Sequence, residues 1–305
     1  MTPQQTHPLP IIQSNPHAGL GVPPEIQGML QISPRDLYND ADLWADIHFD
    51  FSAPGLDPAA PGGNGRGVLA NVTMPIARAL IDVNRSADDF DNPDGPIKTA
   101  TSYGRAIYAT PPDLELRATL MTRYYAPFHA GLRQAVEEHG AEMQLFLDCH
   151  NMAQHSPSAY AYAGAARPFI CLANFGDEQG EPRPDLGYTS CPPAFLRAGA
   201  EIAARLFADL ELLEPDAAPA PVVKMNWPFH GGMILRNYWA GAYDPSAAAA
   251  DAATRAPGIM IEINRGLFVG DQTADTPEAP PDLARLAEVR SRLYQWTVEM
   301  VALLA

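Results

Sequence analysis

The stretch QLFLDCHNM, residues 144–152, runs from an apolar segment straight into Asp148, Cys149, His150 and Asn151. The segment is short, apolar and preceded by Gly140, so residues 143–148 read as a buried strand. Side chains two apart on a strand share a face, so Asp148 and His150 point the same way. They do so at the strand's C-terminal end, where open α/β sheets place their ligands. An Asp beside a His fixes the ring's tautomer and raises its basicity, as the outer partner of a metal-ligating imidazole does. A surface His after a core strand is the plain alternative, so the metal reading depends on what else the chain places at strand ends.

Other segments end in a similar way. PLPIIQS (8–14) leads to His17, the apolar run 78–83 leads to Asn84-Arg85, and the run 258–263 carries Glu262. The segment 36–50, DLYNDADLWADIHFD, is crowded with Asp. Two His residues, one carboxylate ligand and a separate Glu make up a catalytic zinc site: three protein ligands leave a position for water, and the nearby carboxylate takes its proton. An Arg supported by an Asn offers a planar fork for a substrate carboxylate. Glu262 sits inside the apolar run GIMIEINRGLF, where a carboxylate is costly unless paired or functional. Its structural alternative is an ion pair with Arg265 or Arg255.

The elements that must position these residues alternate between strand and helix. Beyond the strands named above, VLANVTM, 167–174 and APVVKMN read as strands. VPPEIQGML has helix-compatible spacing, and residues 111–138 read as one long amphipathic helix. PPAFLRAGAEIAARLFADL is a helix with Pro near its start, and a last helix closes the chain from PPDLARL onward. Residues 53–67 are a Gly/Pro-rich loop, and residues 36–50 and 86–110 read as loops. The latter is long and irregular, and is placed to cover a site. The alanine-rich stretch 246–253 is too short for a linker, and no composition break marks a second domain, so 1–305 reads as a single α/β domain with helices covering a mixed, largely parallel sheet.

Composition narrows the partners. The 305 residues are 47% hydrophobic and carry a formal net charge of −16, with no Lys/Arg cluster. Phosphate-backbone binding needs basic patches, so nucleic acid and anionic membrane surfaces are excluded as partners. An anionic substrate needs a local basic pocket. Three widely spaced cysteines, with no CxxC pair, fit a reduced, cytoplasmic setting. No signal peptide and no bilayer-spanning stretch is expected.

As an ordered set, these blocks resemble the N-formylglutamate amidohydrolase (N-formylglutamate deformylase) family, relatives of the zinc carboxypeptidases and aspartoacylases. NPHAG resembles the family's Pro-His-Ser-Gly segment, ALIDVNRSADD its Asp-x-Asn-Arg block, and RYYAPFHAGL its helix signature. LDCHNM is similar to its Asp-x-His-Ser, FHGGMILRNYW to its Gly-Gly segment followed by an Arg, and IMIEINR to its Glu-bearing strand. The resemblance implies a three-layer α/β/α fold of the zinc-carboxypeptidase type. It implies one zinc ion held by His17, Asp42 and His150, a general base Glu262, and a substrate-carboxylate clamp of Asn84 and Arg85 with Arg236. It also implies a small anionic N-acyl amino acid as substrate. Residue 20 is Leu, so the carboxypeptidase His-x-x-Glu spacing is absent and the carboxylate ligand is expected from 36–50. Asp42 in DADLWAD matches best, with Asp40 and Asp46 as alternatives. Ala18 and Asn151 replace usual serines, and His230 stands where Lys is common. These departures leave the acyl group open, with an aspartoacylase-like deacylase or a carboxypeptidase acting on another acidic amide as the alternative. A ligand-binding paralogue without turnover is the reading from another class.

Overall fold

The computed structural model describes residues 7–58, 60, 63–239 and 256–305; the alanine-rich stretch 246–253 and Arg255 lie outside them. Strands β1 (Leu9–Asn15), β2 (Val68–Thr73), β3 (Leu145–Met152), β4 (Ile170–Ala173), β5 (Val223–Met225) and β6 (Gly258–Asn264) form one sheet in the order β2-β1-β3-β6-β4-β5. All neighbours are parallel except β4 on β6, which is antiparallel. The sheet is mixed and mostly parallel, as expected. Every residue of β3 and β6 is buried, which is why both read as near-continuous apolar runs.

Seven helices surround the sheet among the described residues: α1 (Pro34–Asp40), α2 (Ala45–His48), α3 (Leu114–Leu120), α4 (Ala126–His139), α5 (Pro193–Leu206), α6 (Met233–Tyr238) and α7 (Leu283–Ala302). Leu145, Leu147 and Cys149 of β3 and Ile259, Ile261 and Ile263 of β6 face one core, against Ala45 of α2, Leu196 of α5 and Trp296 of α7. Phe146 and Met260 face a second core, against Phe128 and Leu132 of α4 and Ile234 and Leu235 of α6. The result is three layers. By the two-residue alternation of strands, Asp148, His150 and Glu262 project toward this second side.

Several elements differ from the sequence reading. Residues 78–83 are not a strand. Leu80 and Ile81 donate to the Ala77 carbonyl in a turn, and the loop at 96–98 takes up the rest through Asp82 N to Pro96 O and Lys98 N to Leu80 O. The run is apolar because it is buried, and burial alone does not separate strand from turn. Residues 36–50 are not simply loop. Ser33 and Asp36 form a reciprocal capping box with Pro34 in the first turn, which starts α1. The helix expected over 111–138 is interrupted by a π segment, Met121–Tyr125, just before Pro127 in the first turn of α4. Proline lacks the amide that an uninterrupted α-helix needs there, and a π turn absorbs the loss. VPPEIQGML contains only a 3-10 turn, Gln27–Met29. Among the described residues, no helix is long and apolar enough to cross a membrane.

Candidate active site

Two imidazoles meet over one carboxylate at the C-terminal ends of the central strands. β1 ends at Asn15, and His17 follows two residues later; β3 carries His150 on its last turn of pleat. The chain leaving α1 brings Asp42 between them, tied by Asp42 N donating to the His17 carbonyl at 2.9 Å. His150 Nδ1 lies 2.9 Å from Asp42 Oδ2 and His17 Nδ1 lies 3.4 Å from it. One ligand atom from each of the three residues falls within 4.8 Å of the others, and all three residues are buried. The far nitrogens are held as well. His17 Nε2 donates to Asp82 Oδ1 at 2.8 Å, and His150 Nε2 lies 3.2 Å from Asp148 Oδ1. His17 is thus fixed by the Asp82 carboxylate, His150 Nε2 is flanked by the Asp148 carboxylate and by Asn84 Nδ2 at 3.4 Å, and both rings turn Nδ1 to the shared centre. Among the described residues, His17 Nδ1 has no hydrogen-bond partner although it is buried. An orphaned buried nitrogen beside a second nitrogen and a carboxylate is a donor set that suits a divalent ion of the zinc class.

Among the three Asp residues considered for this place, only Asp42 faces both rings. Asp40 accepts from the Ser102 amide, and Asp46 is exposed. The turn that carries His17 needs glycine: a Cβ on Gly19 would lie 2.2–2.5 Å from backbone atoms of Met74 and Pro75. Asn151, on the opposite face of β3 from His150, donates to the Leu43 carbonyl at 2.6 Å and holds the Asp42 segment from behind.

Glu262 is the register partner of His150 across the β3–β6 ladder. It is 6% exposed and faces the same cavity. Burial pushes its carboxyl up to about 8, against the pull of the His150 charge. Arg265 does not pair with it: its guanidinium donates to the Asn39 and Ala41 carbonyls instead. Burial alone would raise Asp42, but the hydrogen bond with His150 and the nearby His17 ring outweigh it and hold the carboxyl below its usual range. Burial also opposes charge on His150, and the Asp148 carboxylate overcomes this and raises the ring well above its ordinary value.

These groups line a cavity of about 230 Å³, together with Arg78, Asn84, Arg85, Ser102, Tyr160 and Arg167. Asn84 is built into the floor. Its amide donates to Asp82, its Oδ1 accepts from the Ile234 amide at the start of α6, and a Cβ on Gly232 would clash with it. Arg85 lines the cavity, yet its guanidinium is bidentate to Asp94, through Nε to the carbonyl at 3.1 Å and NH2 to the carboxylate at 3.0 Å. Arg236 is not brought to the cavity. α6 buries Ile234, Leu235, Asn237 and Tyr238, which turns Arg236 outward over the Phe175 ring. His230 also points away and donates to the Gly176 carbonyl. The 86–110 loop supplies Ser102 and Tyr103 to the wall.

Three features were not read from sequence. Arg78 lies 3.5 Å from Asp82 and 3.9 Å from Asp42, and donates to the Tyr160 hydroxyl at 2.8 Å. Asp82 anchors His17 and also accepts from the Asn84 amide. Arg167 is nearly fully buried in the wall. Only Arg78 had a local signal, a cation inside an apolar run; the other two depend on contacts made far along the chain.

The comparisons with known proteins point the same way. A crystal structure of N-formylglutamate amidohydrolase from Ralstonia eutropha JMP134 superposes with a TM-score of 0.64 at 19% identity, covering 98% of this chain and 95% of that one. The crystal structure of an Agrobacterium tumefaciens gene product superposes with a TM-score of 0.58 at 15% identity, covering 96% and 90%. At these identities the likeness shows the fold. No curated protein matches the chain significantly. The family model for N-formylglutamate amidohydrolase matches residues 9–269, and the chain belongs to that family of amidohydrolases.

Proposed function

We propose that the protein is a metal-dependent amidohydrolase that cleaves the amide of an N-acyl amino acid, with N-formylglutamate as the first candidate. The observation that carries this is the buried His17–Asp42–His150 cluster with Glu262 beside it in one cavity. A divalent ion held by those three residues, zinc by donor type, supplies a lowered pKa for water and polarisation of the amide carbonyl.

The protein's own groups do the rest. Asp82 holds His17 through Nε2 and the Asp148 carboxylate lies beside His150 Nε2, so both rings present Nδ1 to the shared centre, where an ion would replace the Nδ1 proton of His150. Glu262 takes the proton of the attacking water and passes it to the leaving amine. Burial, which raises this carboxyl, favours its holding the proton between the two steps. Arg78, beside Asp42 and Asp82, adds a positive charge next to the carbonyl oxygen as negative charge develops on it. Asn84 and Arg85 border the substrate's amino-acid portion.

The test is turnover of N-formylglutamate by protein stripped of metal and then reloaded with zinc, with bound metal counted by mass spectrometry. One zinc per chain and recovery of activity with zinc are expected. Full activity in exhaustively stripped protein would end the reading.

A further inference from the structure

Four arginines line the cavity, and they are not equivalent. Arg78 faces Asp82 and Asp42, and Arg85 is engaged by Asp94. Arg265 is spent on the carbonyls of Asn39 and Ala41, on either side of Asp40, and so anchors the segment that carries Asp42. Arg167 differs. It is 3% exposed, and its only side-chain hydrogen bond among the described residues is from NH2 to the Ser156 hydroxyl at 3.2 Å. Its Nε has no partner, and no carboxylate lies within ion-pair distance of it among the described residues. One face of the guanidinium is covered by the Phe229 ring, 5.0 Å from the centroid.

A buried guanidinium without a counter-charge is costly. Burial accordingly draws Arg167 below its ordinary value, with the more distant Glu262 charge opposing. Its backbone is nonetheless fixed: Arg167 N donates to the Gln154 carbonyl and Asn264 Nδ2 donates to the Arg167 carbonyl. A rigidly mounted, desolvated, planar fork that faces a cavity and lacks an anion matches the chemistry of a carboxylate receptor.

We propose that Arg167 is the residue that receives a carboxylate of the substrate's amino-acid portion. This rests on the amidohydrolase reading above and names the specificity group within the same cavity. Arg85 already holds a protein carboxylate and Arg236 lies outside, so the free acid of an N-acyl amino acid finds its uncommitted partner at Arg167. Phe229 and Ser156 orient the fork.

The experiment compares kcat/KM of the zinc-loaded enzyme for N-formylglutamate, its side-chain carboxamide and its α-carboxamide. Wild type should lose about 100-fold on replacing the carboxylate that Arg167 receives, the usual scale for leaving a buried charge unpaired. Whichever carboxamide shows the loss identifies the α- or side-chain carboxylate. Arg167→Met should drop the diacid to the level of that carboxamide and leave the carboxamide itself within about threefold. Equal loss on all three substrates, or discrimination that survives intact, overturns the proposal. If Arg167→Met does not fold, Phe229→Leu keeps the guanidinium and removes its covering ring. It should raise KM for the diacid and not for the carboxamide, and equal effects on both overturn the proposal. If wild type hydrolyses none of the three, the amidohydrolase reading fails, and calorimetry with glutarate tests the carboxylate site alone. Binding by wild type that Arg167→Lys weakens at least tenfold supports the site, whereas no binding, or equal binding, overturns it.

Discussion

Replacing Glu262 by Gln keeps its volume and removes its capacity to accept a proton. Glu262→Gln should bind zinc with wild-type stoichiometry, melt within a few degrees of wild type and lose about 10²–10⁴-fold in kcat. Retained turnover would show that another group takes the proton. His17, His150 and Glu262 were legible in the sequence because each interrupts or ends an apolar run, where a polar side chain needs a reason. Arg167 gave no such sign. It stands before Pro168 at the head of a strand-like stretch, and nothing local distinguishes a buried arginine from a solvated one. The Asp82–His17 bond joins residues 65 apart, so spacing could not reveal it. Arg236 was misplaced for the opposite reason: its neighbourhood resembled a family block, but the four inward side chains of α6 settle which way it faces.

At the scale of elements, the turn after β1 is the sensitive one. A methyl group on Gly19 would meet the Pro75 carbonyl carbon at 2.2 Å, and backbone cannot yield as a side-chain tip does. Gly19→Ala should therefore cost about 1–3 kcal/mol of stability and weaken zinc binding, because the displaced turn carries His17. A thermal melt and a chelator competition check both, and unchanged values in the two would refute the account. β1, β3, β6 and α5 were readable from period and caps. The 78–83 segment and the 36–50 helices were not: the first is apolar for lack of solvent rather than for pairing, and the second are short and polar, with α1 started by a cap rather than by a hydrophobic stripe.

The whole molecule gathers distant segments around the cavity. The loop that contributes Ser156 and Tyr160 is closed at its base by the His155–Ala166 bridge. His155 is clasped between Asp271 at Nδ1 and Asp216 at Nε2, each at 3.0 Å. Partial burial lowers the imidazole's pKa, but the Asp271 and Asp216 contacts outweigh it and raise the value above the ordinary one. A histidine whose folded value is raised contributes its stability in full below the unfolded value of about 6.5 and loses it as pH rises through the folded value. The clasp is partly exposed, so its worth is at most about 1 kcal/mol. The difference in melting temperature between wild type and His155→Gln should be largest at pH 6 and shrink as pH rises into the alkaline range. A difference that grows with pH would contradict the assignment.

His150 and Glu262 sit opposite each other in the β3–β6 register, with Asp148 opposite Met260 two residues earlier. Their separation is therefore written into main-chain geometry and not into the shapes of the side chains packed behind them. This makes the reaction centre tolerant of drift in the core. Ile261→Val, which removes one methylene from the far face of β6, should cost about 1 kcal/mol of stability and leave kcat as it was. A lineage can rework the packing on that side of the sheet over many generations while the proton-transfer distance stays where the ladder sets it.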